Sequence, residues 1–170
     1  ATDAATRRLF EASGHFGLDP DDVLIFSQDM APAFDSSGRL LLESMDRIFE
    51  SPDGHGGSIP ALAKSGALAD MAARGIDTVF YYQVDNPLIR MADPGFLGFH
   101  RQAQADVSCK VVRKRDPMAK WGVLALQGGQ PAVVEYTELG DEERFARGTD
   151  GELRYWAGNI AIHAFDTEFL

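Results

Sequence analysis

Continuous apolar runs and apolar residues at helical spacing divide this chain into strands and helices. The runs Val23–Phe26 and Thr78–Val84 are short and bounded by polar turns, which is typical of strands buried on both faces. The glycine pair at 128–129 predicts a hairpin turn between two later runs. The remaining predicted strands cover 39–42, 107–112, 122–126, 132–135 and 158–165, and the predicted helices cover 3–12, 94–104, 142–147 and the stretch between Ser58 and Gly75.

The order of these elements predicts an α/β fold. Strand, loop, helix, strand, helix and strand follow one another, which is typical of a mostly parallel sheet flanked by helices, and the later hairpins make the expected sheet mixed. A length of 170 residues fits one domain. In open α/β sheets, ligands bind beyond the carboxyl ends of the strands. The loop 52–57 and Asp85 both follow predicted strands, so we expect a site on that side of the sheet.

Charge and composition narrow the classes of function. The net charge is −10 with a pI near 4.7, and the one basic cluster, Lys110 to Arg115, is short and interrupted, which argues against a nucleic-acid partner. No apolar stretch approaches the length of a membrane span. We therefore expect no membrane association and a cytoplasmic location by default. The single cysteine, Cys109, allows no intrachain disulfide, and the four histidines are too dispersed to predict a metal cluster.

The glycine-rich segment Gly54-His55-Gly56-Gly57 precedes a predicted helix whose N-cap is Ser58. Free backbone N–H groups and the positive end of a helix dipole favour a bound anion at such a loop. An ordinary flexible turn explains the same glycines. Without a Walker lysine, the residues alone favour that simpler interpretation.

Asp85 ends the apolar run Thr78–Val84. A carboxylate in this position is well placed for a hard divalent cation that also binds substrate phosphates. It can equally accept backbone N–H groups in the turn before Pro87, and the residues alone leave the two interpretations even. Glu135 and Asn159 also flank apolar runs, where they either present polar groups to a sugar or belong to a solvated strand end and a turn.

Seven segments of the chain share their order and spacing with one family of enzymes. They are 25–33, Pro52–Gly57, Val84–Leu88, Ala92–Phe99, Lys110–Val112, Val133–Tyr136 and Ala157–Ala161. From about residue 10 to 170 the chain thus resembles the central part of the eukaryotic-type UDP-N-acetylglucosamine pyrophosphorylases, within the wider group of UDP-sugar pyrophosphorylases. The resemblance implies the nucleotide-diphospho-sugar transferase fold, which is Rossmann-like, and a UTP–sugar-1-phosphate uridylyltransferase.

The resemblance also implies a reaction and a set of site residues. UTP and N-acetylglucosamine-1-phosphate, or a related sugar phosphate, would give the UDP-sugar and pyrophosphate with the help of Mg²⁺. The implied roles are uracil binding by Gln28 and the Gly54 backbone, Mg²⁺ binding and catalysis by Asp85, and sugar binding by Gly122, Glu135, Tyr136 and Asn159, with His55 beside the sugar.

Two departures from the family pattern shape the expectations. The loop combines Asp53 and Gly57, as in the acetylglucosamine enzymes, with His55, as in the glucose enzymes, while Val133–Tyr136 favours acetylglucosamine. The family's N-terminal phosphate loop and a C-terminal basic residue are not in this chain. The chain therefore resembles the central part of the catalytic domain, incomplete at both ends, and we expect the isolated 170 residues to be inactive.

Three alternatives stay open. The first is a UDP-glucose pyrophosphorylase, which the histidine in the glycine loop favours. The second is a non-catalytic module that binds a nucleotide sugar. A glycosyltransferase of related fold ranks last, because Asp85-Asn86-Pro87 lacks the second aspartate of the usual Asp-x-Asp metal motif.

Overall fold

The structure, a computed structural model, describes residues 2–170. The chain is divided into two units, one formed by the residues up to Ile76 together with Leu170 and the other by Asp77–Phe169. Within the described residues, no helix has both the length and the apolar character needed to cross a membrane.

The first unit is built from short elements. They are α1 (Asp3–Ala12), β1 (Met30–Pro32), β2 (Leu42–Ser44), β3 (Arg47–Ile48), β4 (Glu50–Pro52), α2 (Ser58–Lys64) and α3 (Ala67–Ala73). The strands form two separate antiparallel pairs, β1 with β4 and β2 with β3. Met30 lies opposite Pro52, so the loop that follows β4 starts beside the beginning of β1.

The second unit contains one five-stranded sheet. Its elements are β5 (Thr78–Tyr81), α4 (Pro94–Ala103), β6 (Val107–Arg113), β7 (Val123–Gln127), β8 (Gln130–Val134), α5 (Asp141–Phe145) and β9 (Ala157–Asp166). The long strand β9 is central. It pairs with β6 along one edge and with β5 and β7 on the other, and β8 extends the sheet from β7. Val123 and Ala164 are fully buried in this sheet.

The prediction of a mostly parallel sheet is wrong, because every strand pair in the structure is antiparallel. The run 23–26 forms no strand. Its Ile25 carbonyl accepts a hydrogen bond from a side chain, Arg7 Nη2 (2.7 Å), and not from a neighbouring strand. β5 pairs instead with β9, which runs in the opposite direction. The chain is still a mixed α/β structure.

The expectation that the loop 52–57 and Asp85 extend from one sheet is also wrong. The loop follows β4, which belongs to the isolated pair with β1, whereas Asp85 follows β5 of the five-stranded sheet. Both segments do follow strands, as the sequence predicts, but the two strands belong to separate sheets.

The helix predicted between Ser58 and Gly75 is two helices. Gly66 adopts a left-handed conformation (φ +82°) that separates α2 from α3, a conformation that glycine reaches at little cost. Ser58 is the first residue of α2 rather than its N-cap, and its hydroxyl donates to the His55 carbonyl (2.6 Å).

The first turn of α4 is fixed to the sheet. Asp93 caps the helix by accepting from the Gly95 N–H (3.1 Å), and it also accepts from Lys110 Nζ of β6 (2.7 Å). The hydrogen bond from Lys110 lowers the pKa of the Asp93 carboxyl. The Phe96 ring meets Phe80 of β5 edge-on (6.3 Å between centroids). Helix and sheet are thus joined by both polar and aromatic contacts.

Candidate functional site

The loop 53–57 of the first unit is closed by a tight contact between its two ends. The Asp53 N–H donates to the Asp29 carbonyl (3.3 Å), which continues the β1–β4 pairing by one residue. Gly57 is buried, and a Cβ there would lie 2.7 Å from the Cβ of Asp53. Gly56 has nothing within 4 Å of the same position. The close approach therefore requires a glycine at 57 and not at 56.

The side chain of Gln28, which precedes β1, hydrogen-bonds to the backbone of this loop. With its amide oriented so that each donor meets an acceptor, the side-chain nitrogen donates to the Gly54 carbonyl (3.2 Å) and the oxygen accepts from the Asp53 N–H (3.3 Å). A cavity of about 410 Å³ lies next to this contact, lined among others by Gln28, Pro52 and Ser58. The structure thus brings together the two residues predicted to face the uracil. His55, in the same loop, is exposed.

Asp85 lies in the turn that follows β5, and its side chain is exposed. Among the described residues, no group donates a hydrogen bond to its carboxylate or forms an ion pair with it. The turn is held instead by Asn86, whose N–H donates to the Gln83 carbonyl (3.2 Å) and whose Oδ1 accepts from the Leu88 N–H (3.2 Å). Asn86, not Asp85, supplies the turn's side-chain acceptor.

The surroundings of Asp85 limit the kind of metal site that it can form. Within residues 2–170, no three His, Cys, Asp or Glu side chains are grouped so that they could hold a metal ion. A cation at Asp85 would therefore take most of its ligands from substrate and water. Mg²⁺ commonly binds in this way, through one or two carboxylates plus substrate phosphates. The donor set fits a shared ion and does not fit an all-protein cage.

Gly122 and Glu135 lie side by side at one end of the β7–β8 hairpin. Val123 pairs with Val134, so the residue before β7 and the residue after β8 are neighbours. A Cβ on Gly122 would lie 3.2 Å from Glu135 Oε1 and 3.1 Å from Val133 Cγ1. Gly122, which is buried, therefore lets the Glu135 carboxylate and the Val133 side chain approach its backbone closely, and a side chain at 122 would prevent this approach.

Asn159 of β9 joins the same group. Its backbone N–H donates to the Gly122 carbonyl (2.8 Å), and the preceding residue, Gly158, pairs with Val123. Its side-chain Oδ1 accepts from the Ala161 N–H (3.1 Å). Val123, the first residue of β7, pairs both with Val134 at the end of β8 and with Gly158 near the start of β9, so the carboxyl end of β8 and the amino ends of β7 and β9 meet here. Three of the predicted sugar residues, Gly122, Glu135 and Asn159, are thus together.

The turn after β8 carries Tyr136 and is held by one arginine. Arg144 Nη2 donates to the carbonyl oxygens of Tyr136 (3.2 Å) and Leu139 (3.3 Å). This guanidinium fixes the segment that begins with Glu135. Tyr136 is half-buried and directly follows Glu135 in the sequence.

The direction of β5 relates Asp85 to this group. Thr78 pairs with Asp166 and Tyr81 with His163, so the chain leaving β5 runs along β9 toward Asn159. The predicted metal residue and the predicted sugar residues therefore belong to the same end of one sheet.

The basic residues of the 110–115 cluster are used within the second unit. Lys110 binds Asp93, and the Arg113 guanidinium lies over the Trp156 ring (4.9 Å to the centroid). Lys114 is 2% exposed, and burial lowers its pKa. The cluster therefore stabilises the fold, and its side chains do not form one exposed patch.

Two features of the site were not predicted from the sequence. The Trp121 ring packs on Gly158, where a Cβ would lie 3.0 Å from the indole carbon Cε3. Ala161 has a left-handed backbone (φ +52°) inside β9. A tryptophan directly before Gly122 is a weak hint of the first contact. Nothing in the sequence points to the second, because alanine strongly favours negative φ.

Comparison with known proteins gives these observations a context. The family described as UTP–glucose-1-phosphate uridylyltransferase matches residues 1–160. The chain is 41% identical, over 100% of its length and 35% of the other, to a probable UDP-N-acetylglucosamine pyrophosphorylase of Dictyostelium discoideum. It is 44% identical to UDP-N-acetylhexosamine pyrophosphorylase-like protein 1 of Mus musculus, over 97% of this chain and 32% of that protein.

A solved structure agrees with the sequence matches. The uridine diphosphate N-acetylglucosamine pyrophosphorylase of Trypanosoma brucei superposes with a TM-score of 0.85 at 32% identity, over 97% of this chain and 33% of that one. The chain spans about a third of the length of the curated relatives it matches. Its fold is that of the UDP-sugar pyrophosphorylases, and the chain belongs to the UTP–glucose-1-phosphate uridylyltransferase family.

Proposed function

We propose that the protein containing this chain transfers a uridylyl group from UTP to N-acetylglucosamine-1-phosphate, giving UDP-N-acetylglucosamine and pyrophosphate. The observation that carries the proposal is the meeting of Gly122, Glu135 and Asn159, where an exposed carboxylate and an asparagine both lie against the bare backbone of a glycine. Such a group suits a ligand with several hydroxyls. The family and the names of the relatives support the same reaction.

In this proposal Gln28 and the Gly54 backbone bind the uracil ring. An amide carries two N–H donors and two acceptor lone pairs. In Gln28 one donor is engaged by the Gly54 carbonyl and one acceptor by the Asp53 N–H. One donor and one acceptor remain, which is the pairing that the edge of a uracil ring presents. Gln28 therefore both shapes the loop and faces the base.

Glu135 and Asn159 divide the recognition of the sugar. The Glu135 carboxylate is an acceptor and takes O–H donors from the ring hydroxyls. The Asn159 side chain uses its oxygen inside β9 and offers its NH₂ group to a sugar oxygen. Gly122 lets the Glu135 carboxylate lie close to the backbone there, and Tyr136 lies beside the sugar in this proposal.

Asp85 would hold a Mg²⁺ ion that substrate phosphates share. The support is its exposed carboxylate and the absence, among the described residues, of any group bound to it. When bound, the ion would supply charge neutralisation on the phosphates.

The chemical step needs no general base. A phosphate oxygen of the sugar-1-phosphate, already an anion, forms the new bond to the α-phosphorus of UTP as the bond to pyrophosphate breaks. Positioning and charge neutralisation then supply most of the acceleration. The residues described here act in that way: they orient the base, the sugar and the phosphates, and none has to carry a proton.

Glucose-1-phosphate is the second candidate acceptor. The observation that favours it is His55, which sits between two glycines in the loop as in the glucose enzymes that the sequence resembles. The close relatives with acetylhexosamine names favour the first candidate.

The test is an assay of the intact protein, from first to last codon, with UTP, Mg²⁺ and each sugar phosphate, in which pyrophosphate and UDP-sugar are measured. We expect turnover with N-acetylglucosamine-1-phosphate, and a loss of about 100-fold or more in kcat/KM for Asp85→Asn, the size typical of removing a charge-stabilising group. Glu11→Gln, which removes an exposed carboxylate of α1, is the matched control. Absence of any UDP-sugar would refute the proposal.

A further inference from the structure

The central strand β9 carries a two-residue bulge. Lys110 of β6 faces Ile162, but the next residue of β6, Val111, faces Asn159. Ile160–Ala161 therefore have no partner on β6. Bulges of this kind are over-represented next to active sites, where they re-aim a side chain.

The other edge of β9 changes its partner at the same place. β5 reaches only as far as His163, and β7 pairs with β9 only at Gly158. Neither strand pairs with the bulge between them. The sheet thus has a notch at Ile160–Ala161, and Asn159 lies at its border.

The bulge determines where Asn159 lies. In an unbroken ladder, Val111 would face Ala161, and Asn159 would face Arg113, two positions further along β6. Two strand positions correspond to about 7 Å. Because side chains alternate with a period of two, an insertion of two residues moves Asn159 along the sheet without turning it to the other face.

Both the backbone and the side chain of Asn159 are then locked. Its N–H donates to the Gly122 carbonyl (2.8 Å), and its Oδ1 accepts from the N–H of Ala161 (3.1 Å). The left-handed backbone of Ala161 (φ +52°) closes the turn that contains this second bond, because it lets the strand rejoin β6 at Ile162, and the conformation costs free energy in alanine. An N–H can only meet the oxygen of the amide, so the NH₂ group of Asn159 is the free end.

We propose that Ala161 is a positioning residue for the sugar: its left-handed backbone closes the bulge, and the closed bulge holds the Asn159 amide with its NH₂ group toward the sugar site. This inference rests on the proposed function. With the amide held in this orientation, the hydrogen-bonding roles at the site are fixed: Asn159 donates to a sugar oxygen and Glu135 accepts from a sugar hydroxyl. The bulge thereby contributes to recognition without touching the sugar.

The test compares three variants of the intact protein. Ala161→Val places a β-branched side chain at a positive φ that it adopts poorly, whereas Ala161→Gly keeps that conformation accessible. Ala132→Val makes the same change in a regular part of β8 and is the control. For Ala161→Val we expect the sugar-phosphate KM to rise about tenfold with the KM for UTP within about twofold. Ala161→Gly and Ala132→Val are expected to stay near wild type in both.

Two results would overturn the inference. One is a wild-type sugar KM in Ala161→Val, and the other is an equal rise in Ala161→Gly, since glycine keeps the backbone conformation. If Ala161→Val does not fold, the glycine variant and the following exchange experiment still decide the matter.

Hydrogen exchange at single-residue resolution tests the bulge without any activity. We expect the Ala161 N–H of the intact wild-type protein to be protected and to lose at least tenfold of that protection in Asn159→Ala, an order-of-magnitude figure for a lost side-chain hydrogen bond. An unprotected wild-type Ala161 N–H contradicts the inference. Protection together with no turnover on any sugar phosphate would refute the proposed function and leave the bulge itself intact.

Discussion

The regions proposed to bind the nucleotide and the sugar are held in place in different ways. In the first unit, the loop 53–57 follows a strand of three residues, and single contacts shape it, namely the Gln28 amide and the approach of Gly57 to Asp53. In the second unit, the residues proposed to face the sugar stand at the ends of strands in a five-stranded sheet. The Asn159 N–H donates to the Gly122 carbonyl, and Gly122 and Glu135 flank the Val123–Val134 pair of the ladder.

This difference bears on how each region responds to change. A loop shaped by a few side-chain contacts can relax locally when one of them is lost, so each such substitution should raise the KM only moderately. A sheet end cannot relax without disturbing the ladder, since close-packed structure transmits strain. We therefore expect larger effects from equivalent substitutions in the sheet region, and each region should affect the KM of its own substrate.

The largest effect is expected for Gly122→Ala. The added Cβ would meet Val133, Glu135 and the Val134 carbonyl at 3.1–3.3 Å, and the sheet prevents an easy shift. We expect the KM for the sugar phosphate to rise about 10- to 100-fold with little change for UTP, because small misplacements at a site are costly. Steady-state kinetics of the intact protein measure both.

Gly98→Ala is the matched control for that substitution. Its Cβ would meet nothing within 4 Å, and the residue lies inside α4. Kinetics should stay unchanged, and the melting temperature should rise slightly, because alanine favours helix over glycine by about 1 kcal/mol. Equal rises in both KM values for Gly122→Ala would break the proposed division between the two regions.

Gly57→Ala is the corresponding change in the loop. Its Cβ would lie 2.7 Å from that of Asp53, so the loop has to move. Because the loop can relax, we expect the KM for UTP to rise about tenfold and the sugar KM to stay near wild type. Gly56→Ala, which has open space in the same loop, should have no effect. A sugar KM that changes as much as the UTP KM would count against the assignment.

A smaller effect is expected for Gln28→Met, which keeps the length of the side chain and removes both hydrogen bonds to the loop. Each such bond contributes about 1 kcal/mol, and partial relaxation leaves an expected rise in the UTP KM of about fivefold. Gln102→Met, on the exposed side of α4, controls for the change of residue type. An unchanged UTP KM would show that Gln28 neither shapes the loop nor faces the base.

The smallest expected effect is a pH-dependent change in melting temperature when the ion pair between Asp93 and Lys110 of β6 is removed. The hydrogen bond from Lys110 holds the pKa of Asp93 below its ordinary value. In the unfolded chain the pKa of an aspartate is about 3.9, and in the folded protein that of Asp93 is lower. The ion pair therefore stabilises the folded protein fully above about pH 3.9, and this stabilisation is lost as the pH falls through the folded pKa. Asp93→Asn should therefore lower Tm at pH 7, with a difference from wild type that narrows below about pH 4. Thermal melts at pH 7, 5 and 3 measure it, and a constant difference would exclude this ion pair as the cause.

Much of the second unit could be predicted from the sequence, because its apolar pattern is strong and local. The helix 94–104 and the strands 107–112 and 158–165 are confirmed with bounds shifted by a residue or so. The hairpin at Gly128–Gly129 is confirmed as well, and both glycines have positive φ there. Pairing direction was not predictable in this way, since it depends on which strands meet. The apolar run 23–26 failed as a strand for the same reason.

The site was predictable only in part. The residues alone left Asp85, Glu135 and Asn159 open between function and ordinary turns, and the resemblance to a family placed them in one site. The grouping of Gly122, Glu135 and Asn159 could not be read from the pattern, because it arises from antiparallel strand ends that meet. The Gln28 contacts and the bulge at Ala161 are tertiary features without a local signal.

We propose that the protein containing this chain makes UDP-N-acetylglucosamine, and a one-pot competition tests this proposal most directly. The intact protein is given UTP, Mg²⁺ and equal amounts of N-acetylglucosamine-1-phosphate and glucose-1-phosphate, and the two UDP-sugars are measured by mass spectrometry at early times. The product ratio equals the ratio of the kcat/KM values. The account predicts an excess of UDP-N-acetylglucosamine of about tenfold or more, within the range that one pocket contact can provide. An equal or larger yield of UDP-glucose would contradict it.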